Sequence, residues 1–241
     1  MTEAKVRLFV DQPLAAGQPV ALAEAQANYL FNVMRLAPGQ DVLLFNGRDG
    51  EWLASVAEAG KRRGVLICAR QTAPLRLPPD LWLVFAPIRK ERTHFIVEKA
   101  VELGVARILP VQTRRTSAER LRQDKLQAHA VEAAEQCGAT LVPDVAEIVP
   151  LDRLLAGWPA ARRLLWCDEA RAGTAMALPG GRGAPWAVLI GPEGGFATEE
   201  QARLSAMPQV VPFSLGPRIL RADTAAVAAL ALWQAALGDW A

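Results

Sequence analysis

The first seventy residues carry hydrophobic side chains in short alternating runs, which indicates a β-rich segment. Helical spacing interrupts them once, over Ala23–Arg35, and the dipeptide Asn46-Gly47 is typical of a hairpin turn. Four strands are predicted in this part of the chain: Val6–Val10, Asp41–Phe45, Trp52–Ala57 and Gly64–Arg70. We therefore expect a small barrel-like unit with helical decoration.

A proline-rich segment, Thr72–Pro79, follows this unit. Proline lacks a backbone N–H and fixes φ, so three prolines this close together disfavour both helix and sheet. The segment is predicted to link two domains, over residues 1–73 and 74–241.

The second domain alternates strands and helices. Strands are predicted over Leu81–Ala86, Ala106–Val111, Leu141–Val145, Arg163–Cys167, Trp186–Ile190 and Val210–Phe213. Helices are predicted over Arg92–Leu103, Ala118–Cys137, a short segment after residue 145, a segment that begins with a capping box at Thr198, and Asp223–Leu237 with Asp223 as N-cap. Such alternation favours an α/β fold in which a parallel sheet carries helices on both faces.

Composition limits the class of protein. Hydrophobic residues make up 51% of the 241 residues and charged residues 22%, which suits a folded core. The longest apolar runs, Leu81–Pro87 and Ala225–Trp233, are shorter than the roughly 20 residues that cross a bilayer. We expect a cytoplasmic protein that contacts no membrane. Three scattered cysteines and two isolated histidines predict neither disulfides nor a metal site.

The formal net charge is only +2, but the charges are unevenly distributed. Phe85–Lys125 contains ten Lys or Arg residues against five acidic ones. Such a region is typical either of a surface that meets a polyanion or of a solvated helix face, and charge alone leaves both interpretations open.

Two loops follow predicted strands at the end where parallel sheets bind ligands. The first loop is Gly191–Phe196, with three glycines and a proline, and the second loop is Ser214–Arg221. Neither matches a dinucleotide fingerprint, a P-loop or a hydrolase nucleophile elbow, which disfavours those enzyme classes. The loops are either ligand-binding segments or structural turns.

Five segments together resemble one family. They are Arg7-Leu-Phe-Val10, Lys99-Ala-Val-Glu-Leu-Gly-Val105, Glu132-Ala-Ala-Glu-Gln-Cys-Gly138, Ile190-Gly-Pro-Glu-Gly-Gly-Phe196 and Leu215-Gly-Pro-Arg-Ile-Leu-Arg-Ala-Asp-Thr-Ala225. The chain resembles the ribosomal RNA small subunit methyltransferase E family, the 16S rRNA (uracil-1498-N3)-methyltransferases of the SPOUT superfamily. It departs from the family pattern at Ala139, where Arg is usual, and at Asp223, where Glu is usual.

The resemblance implies a C-terminal SPOUT parallel-sheet domain with a trefoil knot and an N-terminal PUA-like RNA-binding β-barrel. It also implies the cofactor S-adenosyl-L-methionine (SAM), a homodimer, and 16S rRNA, within the small ribosomal subunit, as partner. Two alternatives remain: a non-catalytic RNA-binding or ribosome-assembly protein of the same fold, and a SPOUT methyltransferase that acts on another RNA site.

Residue roles are predicted from the chemistry of the reaction that the resemblance implies. We expect SAM to be bound by Cys167, Asp168, Ile190, Gly191, Pro192, Gly194, Ser214, Leu215, Gly216, Ile219 and Leu220. Arg221 is expected to stabilise charge on the uracil, with Glu193 or Asp223 as the group that accepts the N3 proton. Contacts with RNA phosphates are expected from Arg7, Arg35, Lys90, Arg114, Arg115 and Arg218.

Overall fold

A computed structural model describes residues 6–117, 121–167, 178 and 180–240. The chain divides into two compact units. The first consists of Met1–Leu77 and Ala134–Val142, and the second of Pro78–Ala133 and Pro143–Ala241. The domain limits at 73 and 74 stay a prediction. The packing adds that residues 134–142, distant in sequence, belong to the first unit.

The first unit is built on a five-stranded sheet. Its strands are β1 (Arg7–Phe9), β2 (Pro19–Ala21), β3 (Asp41–Phe45), β4 (Glu51–Ala59) and β5 (Gly64–Ala73). They lie in the order β1-β3-β4-β5-β2; β1 is parallel to β3 and the other pairs are antiparallel. Alternate residues such as Val42, Leu44 and Leu66 fill the core. Strand β2, which has only three residues, was not predicted.

The helix predicted over Ala23–Arg35 has a different form. An α-helix, α1, covers Glu24–Ala27 and continues as a π-helix over Asn28–Val33, where the Met34 N–H donates to the Tyr29 carbonyl at 2.9 Å. Arg35 then adopts a φ of 57°, the left-handed region, and ends the helix.

The second unit contains a seven-stranded parallel sheet. Its strands are β6 (Leu81–Phe85), β7 (Arg107–Gln112), β8 (Asp144–Val145), β9 (Val149–Pro150), β10 (Arg163–Cys167), β11 (Trp186–Ile190) and β12 (Val210–Phe213). The order is β12-β10-β11-β6-β7-β8, with β9 also paired to β7. All five residues of β11 are buried, as a central parallel strand requires. The two sheets confirm the predicted fold class, whereas the knot, a property of the chain path, stays a prediction.

The described residues around this sheet also form helices. They are α2 (Lys90–Glu102), α3 (Gln123–Cys137), α4 (Leu151–Ala156), α5 (Thr198–Ala206) and α6 (Ala222–Leu237). The predicted start of α3 at Ala118 lies outside the described residues. Helix α2 packs on α6, which also packs on β11. Leu151 of α4 and Leu204 of α5 belong to the same core cluster as Leu189 of β11.

Two predicted helix caps are wrong by one or two residues. The N-cap of α5 is Ala197, not Thr198; its N–H donates to the buried Glu200 carboxylate at 2.8 Å, which gives half of a capping box. The N-cap of α6 is Arg221, and Asp223 lies in the first turn. Within the described residues, no helix is long and apolar enough to cross a membrane.

Candidate active site

Three adjacent strands deliver the predicted loops to one place. Strand β10 lies between β11 and β12, with Trp166 opposite Leu189 and Cys167 opposite Phe213. Because all three strands are parallel, their carboxyl ends meet at one edge of the sheet. The first loop leaves β11 there and the second loop leaves β12.

These loops enclose a cavity of about 250 Å³, called the loop pocket below. Of the residues predicted to bind SAM, eight line it: Cys167, Ile190, Gly191, Pro192, Leu215, Gly216, Ile219 and Leu220. Gly194 and Ser214 do not line the pocket, and Asp168 lies outside the described residues. Arg221, Glu193 and Arg218 also line it.

The first loop is a tight turn held against an aromatic wall. The Gly195 N–H donates to the Pro192 carbonyl at 2.9 Å, with Gly195 at a φ of 66°. A Cβ atom on Gly191 would lie 2.8 Å from the Phe196 ring. Phe196 is buried and packs edge-on against Trp166, with ring centroids 6.2 Å apart. Because the ring is held, the pocket needs glycine at position 191.

The second loop presents apolar side chains and backbone groups. Its turn is closed by Ser214, whose Oγ accepts from the Gly216 N–H at 3.3 Å, while Gly216 has a φ of 103°. Ile219 is 74% exposed although it lines the pocket. An exposed isoleucine beside a cavity is suited to packing on an apolar ring system of a ligand.

The three candidate catalytic residues differ in position. Arg221 and Glu193 are exposed residues of the pocket wall, and in the described part of the chain neither side chain makes a hydrogen bond. Asp223 is absent from the pocket lining, and its carboxylate pairs with Arg92 at 3.2 Å. Because Asp223 is turned to Arg92 and only Glu193 lines the pocket, the geometry favours Glu193 over Asp223 as the proton acceptor.

Cys167 contributes a thiol to the pocket floor. Desolvation raises the pKa of this thiol to about 12, so it stays protonated at neutral pH. Burial also raises the pKa of the Cys68 thiol, in the first unit. Cys137 is the exposed cysteine.

Because the thiolate is the reactive form, iodoacetamide at about pH 7.5 is expected to alkylate the native protein at Cys137 first. Peptide mass spectrometry would locate the label, and the unfolded protein, in which all three thiols react, is the control. Labelling of Cys167 as fast as that of Cys137 would contradict the raised pKa of the half-buried Cys167 thiol.

One predicted RNA contact, Arg7, instead belongs to the interior of the first unit. Its Nε lies 2.7 Å from Glu51 Oε2, and its Nη atoms donate to the carbonyls of Ala134, Glu135 and Ala139. Only 12% of its side chain is exposed. We therefore correct its role to a structural one, since its donors are already used. Four other predicted contacts outside the pocket are exposed: Arg35, Lys90, Arg114 and Arg115.

Sequence reasoning missed several wall residues: Gly195, Phe196, Gln201, Phe213, Ala222 and Ala225. Phe213 ends β12, and Ala222 and Ala225 lie on the first turns of α6. The sequence could have indicated these three residues, because the end of a strand and the start of the next helix border the loop that joins them. No sequence pattern places Gln201 at the pocket. It lies on α5, and its side-chain amide donates to the Phe196 carbonyl at 3.0 Å.

Family models match both halves of the chain. A model described as an RNA methyltransferase domain matches residues 75–234, and one described as an RNA methyltransferase PUA domain matches residues 22–67. The chain belongs to the RNA methyltransferase family. Because the first model covers more than half of the chain, this membership does not depend on the two loops alone.

Named relatives place the chain more closely. Ribosomal RNA small subunit methyltransferase E of Rickettsia conorii is 27% identical over 93% of each chain. A solved structure of the enzyme with that name from Neisseria gonorrhoeae, bound to SAM, is 27% identical with a TM-score of 0.88, covering 98% of this chain and 99% of that one. A structure from Legionella pneumophila, described as a methyltransferase with bound SAM, is 31% identical with a TM-score of 0.89, covering 97% and 98%. The family resemblance stated from the sequence is thus confirmed.

Proposed function

We propose that this protein transfers a methyl group from SAM to N3 of a uridine in 16S rRNA, at the site that corresponds to position 1498. The observation that carries the proposal is the loop pocket, formed at the carboxyl ends of β10, β11 and β12. It occurs in a fold that matches two SAM-bound structures over nearly the whole chain.

The pocket residues fit an adenosyl group with a charged tail. Leu215, Ile219 and Leu220 offer apolar side chains to an adenine ring and backbone groups to its polar edge. Gly191 leaves room for the ribose or the methionine part, since no Cβ fills that space. Bound SAM would supply an activated methyl group on its sulfonium, so the protein has mainly to position the reactants and exclude water.

The uracil poses the chemical problem, because its N3 carries a proton at neutral pH. The Glu193 carboxylate lines the pocket and makes no hydrogen bond to a described residue, so Glu193 is the proposed proton acceptor. Arg221, on the same wall, is the proposed partner of the negative charge that develops on the uracil oxygens. N3 lies on the base-pairing edge, so the uridine must be unpaired or flipped out of a helix.

The wider setting of the reaction is also proposed. The protein acts as a cytoplasmic homodimer on 16S rRNA within the small ribosomal subunit, as its resemblance to the family implies. The first unit, part of which matches an RNA methyltransferase PUA model, would hold the RNA.

Titration calorimetry with SAM tests the pocket. The native protein is expected to bind about one SAM per chain. Gly191→Ala should weaken binding at least ~10-fold, because its Cβ lies 2.8 Å from the fixed Phe196 ring. Gly157→Ala is the matched control, since a Cβ there meets nothing within 4 Å. Absence of SAM binding, with and without 16S rRNA, would contradict the proposal and support a non-catalytic RNA-binding protein.

A further inference from the structure

A second cavity, of about 770 Å³, lies in the same unit as the loop pocket. Its wall includes the segment Ile88–Lys90 after β6, Ser117 after β7, and the start of α3. Strand β6 is the direct neighbour of β11, and both are parallel. The second cavity, called the basic cavity below, therefore opens at the same sheet edge as the loop pocket and on its β6 side.

Cationic side chains dominate the rim of the basic cavity. Its lining includes Arg89, Lys90, Arg122 and Lys125, and none of the described lining residues is acidic. Arg122 is neutralised locally by Asp124, with Nη2 and Oδ2 2.5 Å apart. In the described part of the chain the other three cations form no ion pair. Unpaired cations around a cavity indicate a place for an anion.

The floor of the basic cavity holds both histidines of the chain. The rings of His94, on α2, and His129, on α3, lie 4.1 Å apart. Burial, and then the neighbouring His129 and Lys90, lower the pKa of His94, whereas Glu98 and Glu91 oppose this shift. His129 Nδ1 faces Glu98 at 3.7 Å and Glu132 at 3.4 Å. At neutral pH the positive charge of the cavity therefore comes from lysine and arginine rather than from His94.

The segment 113–117 connects the two cavities. Arg115 Nη1 donates to the Gly194 carbonyl at 2.8 Å, and the Arg114 N–H donates to Glu200 at 2.8 Å. These bonds fix the segment to the first loop and to α5, while Ser117, at its other end, lines the basic cavity. The two cavities are thus held in a defined relation within the second unit.

We propose that the basic cavity binds a backbone phosphate of the RNA strand whose uridine enters the loop pocket. This inference rests on the proposed function and adds to it the place where the substrate strand is anchored. Phosphate contacts of this kind set the position and register of a nucleic acid, while the base is recognised elsewhere. Lys90 and Lys125 provide the charge, because both are exposed and on the cavity wall and neither forms an ion pair with a described residue.

The double variant Lys90→Gln/Lys125→Gln tests this anchor. Its affinity for a fluorescent fragment of 16S rRNA containing the target uridine would be measured by anisotropy at several salt concentrations. We expect the affinity to fall at least ~10-fold and the salt slope to decrease by about one per lost contact. The KM for RNA should rise while SAM affinity is unchanged. The matched control is Arg153→Gln/Arg182→Gln, which removes two exposed charges of the same unit outside both cavities.

If the cavity variant and the control variant have equal RNA affinities and salt slopes, the basic cavity does not bind an RNA phosphate. This conclusion would hold whatever the methylation activity. Conversely, a native protein that binds RNA through the basic cavity but transfers no methyl group would retain the anchor and refute the proposed function. A cavity variant that loses SAM affinity along with RNA affinity would also contradict phosphate binding by the basic cavity. The proposal assigns SAM to the loop pocket and the RNA phosphate to the basic cavity, so the two affinities should change independently.

Discussion

Arg221→Ala is expected to lower the rate of methyl transfer by a factor of about 10²–10³, the usual cost of removing one donor from a developing anion. Arg221 lines the loop pocket, and its exposed side chain makes no hydrogen bond in the described part of the chain. Its backbone already serves as the N-cap of α6. The substitution should therefore leave folding and SAM affinity intact and act on the chemical step.

Single-turnover transfer of radiolabelled methyl from SAM to 16S rRNA would measure this effect. Arg153→Ala, an exposed arginine of α4 outside the pocket, is the control and should react at the native rate. An Arg221→Ala variant that transfers methyl at the native rate would remove Arg221 from the mechanism. A variant that loses SAM binding as well would assign Arg221 to the cofactor instead.

Arg7→Ala is expected to destabilise the protein by about 3–5 kcal/mol, as removal of one partner from a buried ion pair does. Its Nε contacts Glu51 at 2.7 Å, and both side chains are less than 15% exposed, at 12% and 14%. The substitution would also remove the hydrogen bonds that Arg7 donates to the carbonyls of Ala134 and Ala139. The segment 134–142 would then lose an attachment to the rest of the first unit.

Arg62→Ala is the matched control for Arg7. Arg62 also pairs with a glutamate, Glu24, at 3.2 Å, but 81% of its side chain is exposed. Exposed pairs contribute about 1 kcal/mol or less. Urea unfolding followed by circular dichroism should therefore separate the two variants clearly. Similar urea midpoints for both would show that Arg7 has no structural role and would restore it as a candidate RNA contact.

The fold was predictable where burial alone determines the structure. The sequence predicts strand β11 with the limits that the structure has, because Trp186–Ile190 is apolar throughout and buried on both faces. Strand β3 was also predicted with its observed limits, Asp41–Phe45. Short or locally irregular elements were not predictable in this way. Strand β2 has three residues, and the π-helix Asn28–Val33 has the same apolar spacing as an α-helix over so short a length.

Contacts between residues that are distant in sequence were also not predictable. Leu141–Val142 has the composition of a strand start, but it packs with the first unit, and β8 is reduced to Asp144–Val145. In the same way, no local pattern indicates that Arg7 meets Ala134 or that Arg92 pairs with Asp223. Such pairings depend on the folded arrangement, so a sequence pattern can name the charged residues without telling which are already neutralised.

In the candidate site, too, local features were predictable from the sequence and contacts between distant residues were not. The two loops were found from their glycines and from their place after strands, and the structure brings them together around one pocket. Phe196 was visible in the first loop, yet its wall role depends on packing against Trp166 of β10. The only sequence feature that relates to the basic cavity is the excess of positive charge over Phe85–Lys125. Its shape comes from α2 and α3, which bring the two histidines together.

The proposed activity of this chain is methylation of N3 of one uridine in 16S rRNA. The most direct test incubates small ribosomal subunits that lack this modification with the protein and SAM, then digests the rRNA and locates methylated nucleosides by mass spectrometry. We expect one 3-methyluridine per 16S rRNA, at the position that corresponds to 1498, and its loss with Arg221→Ala. No methylated nucleoside, or a methyl group on another base atom or another RNA, would contradict it.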